Sequence, residues 1–311
     1  MIGSALRREL TAAGHSYKQL VRRSSRSGNE IEWRPDQNQG PDPAALSGIE
    51  VVIHLSGKNL SEGRWTEQRK REIVESRVGP TQLLAASLCK AEPRPRAFVC
   101  ASAVGIYGNR GDEVLEEQSA PGCGFLAETC LAWEAAAAKA AECQMCVVST
   151  RFGIVLSQEG GALAKMLPLF RLGLGGPLGS GRQWMSWISL KDVARALIFV
   201  SEQALKESGR EPAAPQPAGP EPVGSKVEAI NLVAPEPVTN AEFTKVLGVA
   251  LDRPAVLPAP AFALRLAMGE MADEMLLAST RAVPRRLTQM GFSFNHPTLP
   301  DALKAEFPTS K

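Results

Sequence analysis

The chain has 311 residues, 44% of them hydrophobic and 22% charged, with a formal net charge of +2. That size suits one large α/β domain or a domain with a smaller lobe. The near balance of charge excludes non-specific nucleic-acid binding, which needs a strong basic excess, and no apolar run approaches the ~20 residues of a membrane-spanning helix.

Residues 1–6, Met-Ile-Gly-Ser-Ala-Leu, read as the last third of a glycine-rich dinucleotide turn running into a helix over 3–13. Gly3 would be the last glycine of that turn, and Gly14 suits the helix end. The strand and two earlier glycines that normally open such a turn are not in the chain, so either the start lies upstream or a cofactor is held without the usual cradle. Residues 17–21 read as a short strand ending at Arg22. Residues 50–55, Glu-Val-Val-Ile-His-Leu, form an apolar strand that ends in Ser56-Gly57. A long charged helix is expected over 66–90, a buried strand over 97–101 ending in Ser102, an Ala-rich helix over 125–142, and a strand over 145–150 ending in Arg151. His54, inside an apolar strand, reads as a packed core histidine.

The second half differs. Residues 173–181 are glycine-rich but lack the Lys-Ser/Thr of a phosphate-binding loop, so a turn-rich loop near a substrate pocket is expected. Residues 208–226, rich in Pro, Ala, Gly and Glu, read as a flexible insertion. Residues 228–307 read as one short strand and several helices. Strand and helix alternation predicts an α/β fold: a doubly wound parallel sheet of Rossmann type over 1–160, first strand missing, with a small C-terminal α+β substrate lobe over 161–311. Arg22, Ser56-Gly57, Ser102 and Arg151 all follow apolar strands. In an open α/β sheet that places them at the carboxyl edge, where ligands bind.

Six scattered cysteines lack a secreted-scaffold spacing and point to a reducing compartment. Cys143-Gln-Met-Cys146 follows a helix and enters a strand, which favours a structural role over a redox one. A zinc site would need a second such pair, so no metal site is expected.

The runs Val51-Val-Ile-His-Leu-Ser-Gly57 and Ser102-Ala-Val-Gly-Ile-Tyr-Gly108 resemble the extended short-chain dehydrogenase/reductase superfamily. With Arg64-Trp65-Thr66, Glu75-Ser-Arg77, Trp133-Glu134, Gly160-Gly-Ala-Leu-Ala164 and Asn231-Leu-Val-Ala-Pro235, the likeness narrows to the SulA-like epimerase branch. It covers nearly the whole chain outside the insertion. The resemblance implies NADP(H) as cofactor. Independently, strand two ends in Val21-Arg22-Arg23, not in the acidic residue that would bind an NAD ribose, and arginine suits a 2′-phosphate; a solvated turn at Arg22, Arg23 and Arg26 is the competing reading. The resemblance also places Leu55, Ser56, Gly57, Glu72, Arg77 and Thr129 near the cofactor.

Ordinary members of the superfamily use Ser, Tyr and Lys, the last two as Tyr-x-x-x-Lys on one helical face. Ser102 stands in the serine region, but Phe125 and Thr129 stand where Tyr and Lys would be. Three explanations are open: Tyr107 takes over proton transfer, Glu128 does, or the protein binds cofactor and does little chemistry. Arg151, Arg182 and Trp187 are expected to line a pocket for a small-molecule substrate, with Trp184 and Trp187 as an apolar wall or as ordinary core. The leading expectation is an NADP(H)-dependent oxidoreductase or epimerase-like enzyme in which Ser102 hydrogen-bonds the substrate and Tyr107 donates the proton. The alternative is a catalytically weak NADP-binding regulator, which the resemblance links to organelle or cell division. A homodimer is compatible with either. The expected compartment is the cytoplasm, or a plastid or mitochondrion if a transit peptide precedes Met1. Two further expectations concern the missing strand. Strands two and four should face each other across a gap about two strand spacings wide, ~10 Å, and NADP(H) should bind poorly because its pyrophosphate lacks backbone N–H donors.

Overall fold

The computed structural model describes residues 1–209 and 227–308. The elements in chain order are α1 (Ile2–Ala12), β1 (Gln19–Val21), β2 (Glu30–Glu32), β3 (Val51–His54), α2 (Glu67–Lys90), β4 (Ala97–Ala103), β5 (Val114–Leu115), α3 (Phe125–Ala138), β6 (Cys146–Phe152), β7 (Ile154–Leu156) and α4 (Gly161–Arg171). They continue with β8 (Trp184–Met185), β9 (Trp187–Ser189), α5 (Leu190–Ser208), β10 (Val227–Leu232), β11 (Val238–Thr239), α6 (Asn240–Ala250), α7 (Ala261–Met268), β12 (Arg281–Ala282), α8 (Arg285–Gln289) and α9 (Leu299–Glu306).

The apolar runs become a parallel sheet in the order β10-β6-β4-β3. Helices cover both faces, as continuous apolar strands require. Leu6 of α1 and Val193, Leu197 and Val200 of α5 pack with Val99 and Val148 on one face. Leu84 and Leu88 of α2 and Trp133 of α3 pack with Phe98 and Val147 on the other. Thr66 starts α2 by accepting from the Arg69 N–H at 3.2 Å, the N-cap bond that satisfies one orphan donor. This is the doubly wound fold expected, although β10 and α5 come from the second half of the chain.

β1 and β2 pair only with each other, parallel. Among the described residues neither joins β3. Between β1 and β3 lies a cavity of about 610 Å³, lined by Leu20 and Val21 on one side and by Val51, Ile53 and Leu55 on the other. The sheet is therefore interrupted among the described residues, between the strands at 19–21 and 51–54; the strand at 97–103, fourth in the expected count, pairs with β3 and does not border the gap.

Three expectations need amendment. The second half holds β10, β11 and β12 where one short strand was expected. Cys89 and Cys143 form a disulfide, a pairing that the cysteine spacing did not suggest. It joins the end of α2 to the turn before β6, and Cys146 is buried and outside that disulfide, so the C-x-x-C does not bridge itself. Of the 208–226 insertion, residues 210–226 lie outside the described residues.

Candidate functional site at the carboxyl edge

The first turn of α1 opens the site. The Ser4 and Ala5 N–H groups donate to the Met1 carbonyl, while those of Ile2 and Gly3 precede the helical ladder, where donors have no intrahelical partner. A Cβ built on Gly3 would meet nothing within 4 Å, so a ligand can approach this backbone closely. Beside it Arg22 ends β1, exposed, with no hydrogen bond or ion pair among the described residues. Its charge nonetheless reaches His54 at the end of β3 and, after burial, helps push that imidazole down to about 4. The ends of β1 and β3 thus converge across the gap. Arg23 is engaged elsewhere: it holds Glu30 in a two-pronged ion pair, and the Arg23 bond with the Arg26 N–H lowers that carboxyl to about 2. Of Arg22 and Arg23, Arg22 is the one whose guanidinium is not engaged by Glu30.

The turn after β3 is braced from behind. Arg77 is buried, donates to the Lys58 and Ile73 carbonyls at 3.0 and 3.1 Å, and lies over the Trp133 ring. A Cβ on Gly57 would stand 3.1 Å from the Arg77 guanidinium carbon, so glycine is what lets the two meet. Glu72 accepts from Lys58 and Arg69, which lowers its carboxyl pKa. Glu72 and Arg77 therefore shape the Ser56–Asn59 turn, and the structure does not aim either at a ligand. Thr129 is likewise turned inward: its hydroxyl donates to the Phe125 carbonyl at 2.7 Å. Glu274 accepts from the Phe125 and Leu126 N–H groups and caps α3. Glu128 is exposed on that helix.

Behind the edge runs a buried polar chain that sequence alone did not assemble. The Ser102 hydroxyl donates to Glu134 at 2.6 Å, and Arg151 holds both oxygens of Glu134 at 2.8 and 2.9 Å. Arg151 also donates to the Tyr107 hydroxyl at 2.9 Å, and that hydroxyl donates to Asn231 at 2.7 Å. The Asn231 N–H donates in turn to Glu117. Burial works against the Arg151 charge, but Glu134 more than offsets it and raises its pKa. Burial raises the Tyr107 phenol and the Glu117 carboxyl.

This chain recasts three expected roles. Tyr107 is 0% exposed, with its hydroxyl enclosed by Arg151 and Asn231, so it cannot deliver a proton to a ligand in this arrangement. Arg151 is spent on Glu134 and Tyr107 and offers no free fork to a substrate anion. Trp187 is 0% exposed within the α4–α6–α9 core, its indole N–H donating to the Glu236 carbonyl, and is not a pocket wall. Arg182 is exposed, and Trp184 is half-buried beneath Arg281, whose guanidinium carbon lies 4.1 Å from the ring centre. Glu134, Asn231 and Glu117 were missed as functional partners. The only sequence signal was a polar residue amid apolar ones on α3 and β10, and no spacing rule joins Tyr107 to a residue 124 positions away.

Residues 1–211 match the NAD dependent epimerase/dehydratase family, and residues 259–306 match a domain of unknown function, DUF1731. The chain is 42% identical to the epimerase family protein ML0860 of Mycobacterium leprae, over 97% of this chain and 91% of that protein. It is 35% identical to the human epimerase family protein SDR39U1, covering 97% and 95%, and 35% identical to the chloroplastic SDR39U1 homolog of Arabidopsis thaliana, covering 98% and 83%. A crystal structure of human SDR39U1 isoform 2 with NADPH superposes with a TM-score of 0.84 at 31% identity, covering 100% of this chain and 97% of that one.

Proposed function

The chain belongs to the NAD dependent epimerase/dehydratase family, and on that premise we propose that it is an NADP(H)-dependent oxidoreductase or epimerase-like enzyme acting on a small molecule. The observation that carries this reading is the convergence of an unpaired Arg22, the Leu55–Gly57 turn and the open first turn of α1 on one edge. Two free N–H donors and a cation are the donor set that a phosphorylated dinucleotide needs. In this reading Arg22 pairs with the 2′-phosphate, the Ile2 and Gly3 N–H groups face the pyrophosphate, and the Leu55–Ser56 backbone follows the ribose. The human relative solved with NADPH supports the choice of cofactor.

When bound, the nicotinamide supplies or accepts a hydride. Ser102, buried at the end of β4 and donating to Glu134, would hydrogen-bond the substrate oxygen by exchanging that partner for it. Tyr107 acts as a positioning residue: it holds Arg151, which holds Glu134, which orients Ser102. Arg182, exposed, is the cation assigned in this reading to an anionic substrate group. Retention on immobilised 2′,5′-ADP tests the cofactor, and NADPH consumption across a panel of carbonyl compounds tests the chemistry.

The second reading is an NADP-binding regulator with little catalysis. The enclosed Tyr107 hydroxyl and the inward Thr129 favour it. Retention without turnover across the panel selects the regulator; turnover that falls on Ser102→Ala selects the enzyme. No retention contradicts both.

A further inference from the structure

The second half of the chain carries apolar side chains that its core does not use. On α4, Leu163, Leu167 and Phe170 are buried, while Leu169 and Leu172, three positions apart, are exposed, with Leu174 in the loop just beyond. That loop is stitched to residues 254–259. The Leu257 N–H donates to the Gly175 carbonyl at 3.1 Å, and the Ala259 N–H donates to the Pro177 carbonyl at 2.9 Å. A Cβ on Gly176 would stand 1.8 Å from the Leu257 carbonyl oxygen, so glycine is what lets the two segments lie side by side. Val256 and Leu257 thereby come next to the Leu172–Leu174 turn. From Ala261 the chain enters α7, where Phe262 and Leu266 share one face at i, i+4 and are exposed, while Ala263, Leu264 and Met268 are half-buried.

The seven outward side chains of this ridge are between 50% and 77% exposed. At ~25 cal/mol per Å², a side chain worth about 1.5–3 kcal/mol on burial presents on the order of 100 Å², so the ridge offers roughly 500 Å² of apolar surface. A contiguous patch of that size marks an interaction site. A standard interface takes about 800 Å² from each partner, about 65% of it apolar in homodimers, which is again roughly 500 Å². The rim carries both signs: Arg171, Arg253 and Arg265 with Asp252 and Asp273 are all exposed, and Arg265 pairs with Asp273 at 2.9 Å. A face that meets its own copy across a two-fold axis needs both signs on its rim, so that cations can meet anions. An anionic lipid surface would select cations alone. Pro254, Pro258 and Pro260 fix the backbone along the ridge, so docking has little chain left to order.

We propose that this ridge is a self-association surface, on which a second copy of this chain docks about a two-fold axis with Leu172, Val256, Phe262 and Leu266 at the centre. α7 leads into the segment whose Glu274 caps α3, so the second copy rests on the element next to the start of that helix.

The test is sedimentation of the full chain at loading concentrations from about 1 to about 100 µM, at and above the weak end for an interface of this size. The weight-average mass should climb from the 33.3 kDa of one chain toward twice that value, and hydrogen exchange in α7 and in residues 254–259 should slow as concentration rises. Phe262→Glu with Leu266→Glu sets like charges on both facing copies and should weaken association at least about tenfold. Val256→Lys does the same with the opposite sign. These positions are exposed, so the variants should keep the melting temperature of the native chain. Leu131→Glu, at an exposed leucine of α3 away from the ridge, should leave association unchanged. A chain that stays monomeric throughout the range overturns the proposal. So does association that survives the ridge variants, or that Leu131→Glu abolishes, since either places the contact elsewhere. A monomer that binds phosphatidylserine vesicles and loses them in the ridge variants would assign the ridge to a membrane surface instead. None of these readouts involves cofactor or turnover, so they stand apart from the test of the proposed activity.

Discussion

At the scale of single residues, the Ser102–Glu134–Arg151–Tyr107–Asn231 chain dominates. Its members are buried, or half-buried at Glu134, and mutually satisfied, so removing one strands another. Arg151→Ala leaves the half-buried Glu134 carboxylate without its cation and the Tyr107 hydroxyl without its donor, and should cost about 2–3 kcal/mol of stability, read as a lowered denaturant midpoint. Tyr107→Phe leaves the Asn231 oxygen and one Arg151 donor unpaired and should cost about 1–3 kcal/mol; in the proposed role it also lowers turnover without altering cofactor affinity. His54 gives a pH prediction. It is 4% exposed, packed beside Trp33 and Phe98, and its pKa is pushed down to about 4, first by burial and then by Arg22. Its unfolded value is about 6.5. Between those values the unfolded chain binds more protons than the folded one, so stability falls as pH drops from about 6.5 to about 4. Melting curves across that window should show the fall, and His54→Gln should flatten it. His54 was legible as a core residue because it interrupts an apolar strand. Tyr107 was not legible as one, because its partners come from β6 and β10, far along the chain.

At the scale of elements, sequence periodicity located α1, α2, α3, β3, β4 and β6 well, because each is a long apolar or amphipathic run. β2 escaped, since Glu30-Ile-Glu32 is three residues with one apolar side chain and pairs only through its neighbour β1. Trp184 and Trp187 show the limit of local pattern: both are aromatic and near in sequence, yet one lies under Arg281 and the other inside the core, a choice made by β9 pairing with β7. The disulfide is a second such case, as α2 and the turn before β6 meet only in the folded chain. It closes a separation of 54 residues, for which loop-closure entropy gives about 4 kcal/mol. Cys89→Ser, or full reduction, should lower the melting temperature by several degrees, and an unchanged melting temperature in reductant would contradict the pairing.

At the scale of the whole molecule, the carboxyl edge was foreseeable from the positions of polar residues after apolar strands, and the structure brings Arg22, the Leu55–Gly57 turn and the first turn of α1 together there. The fine assignment of ligand-facing side chains was not foreseeable: Arg77, Glu72 and Thr129 lie in the right region but bond to protein. The account's central claim is that this edge holds NADP(H) through Arg22. The direct measurement is a fluorescence titration of the chain with NADPH and with NADH, repeated on Arg22→Glu. The account predicts saturable NADPH binding. It predicts NADH binding roughly tenfold weaker, the worth of one charge-assisted hydrogen bond, and loss of that preference in the variant. Equal affinity for the two nucleotides, or a preference that survives Arg22→Glu, would contradict it.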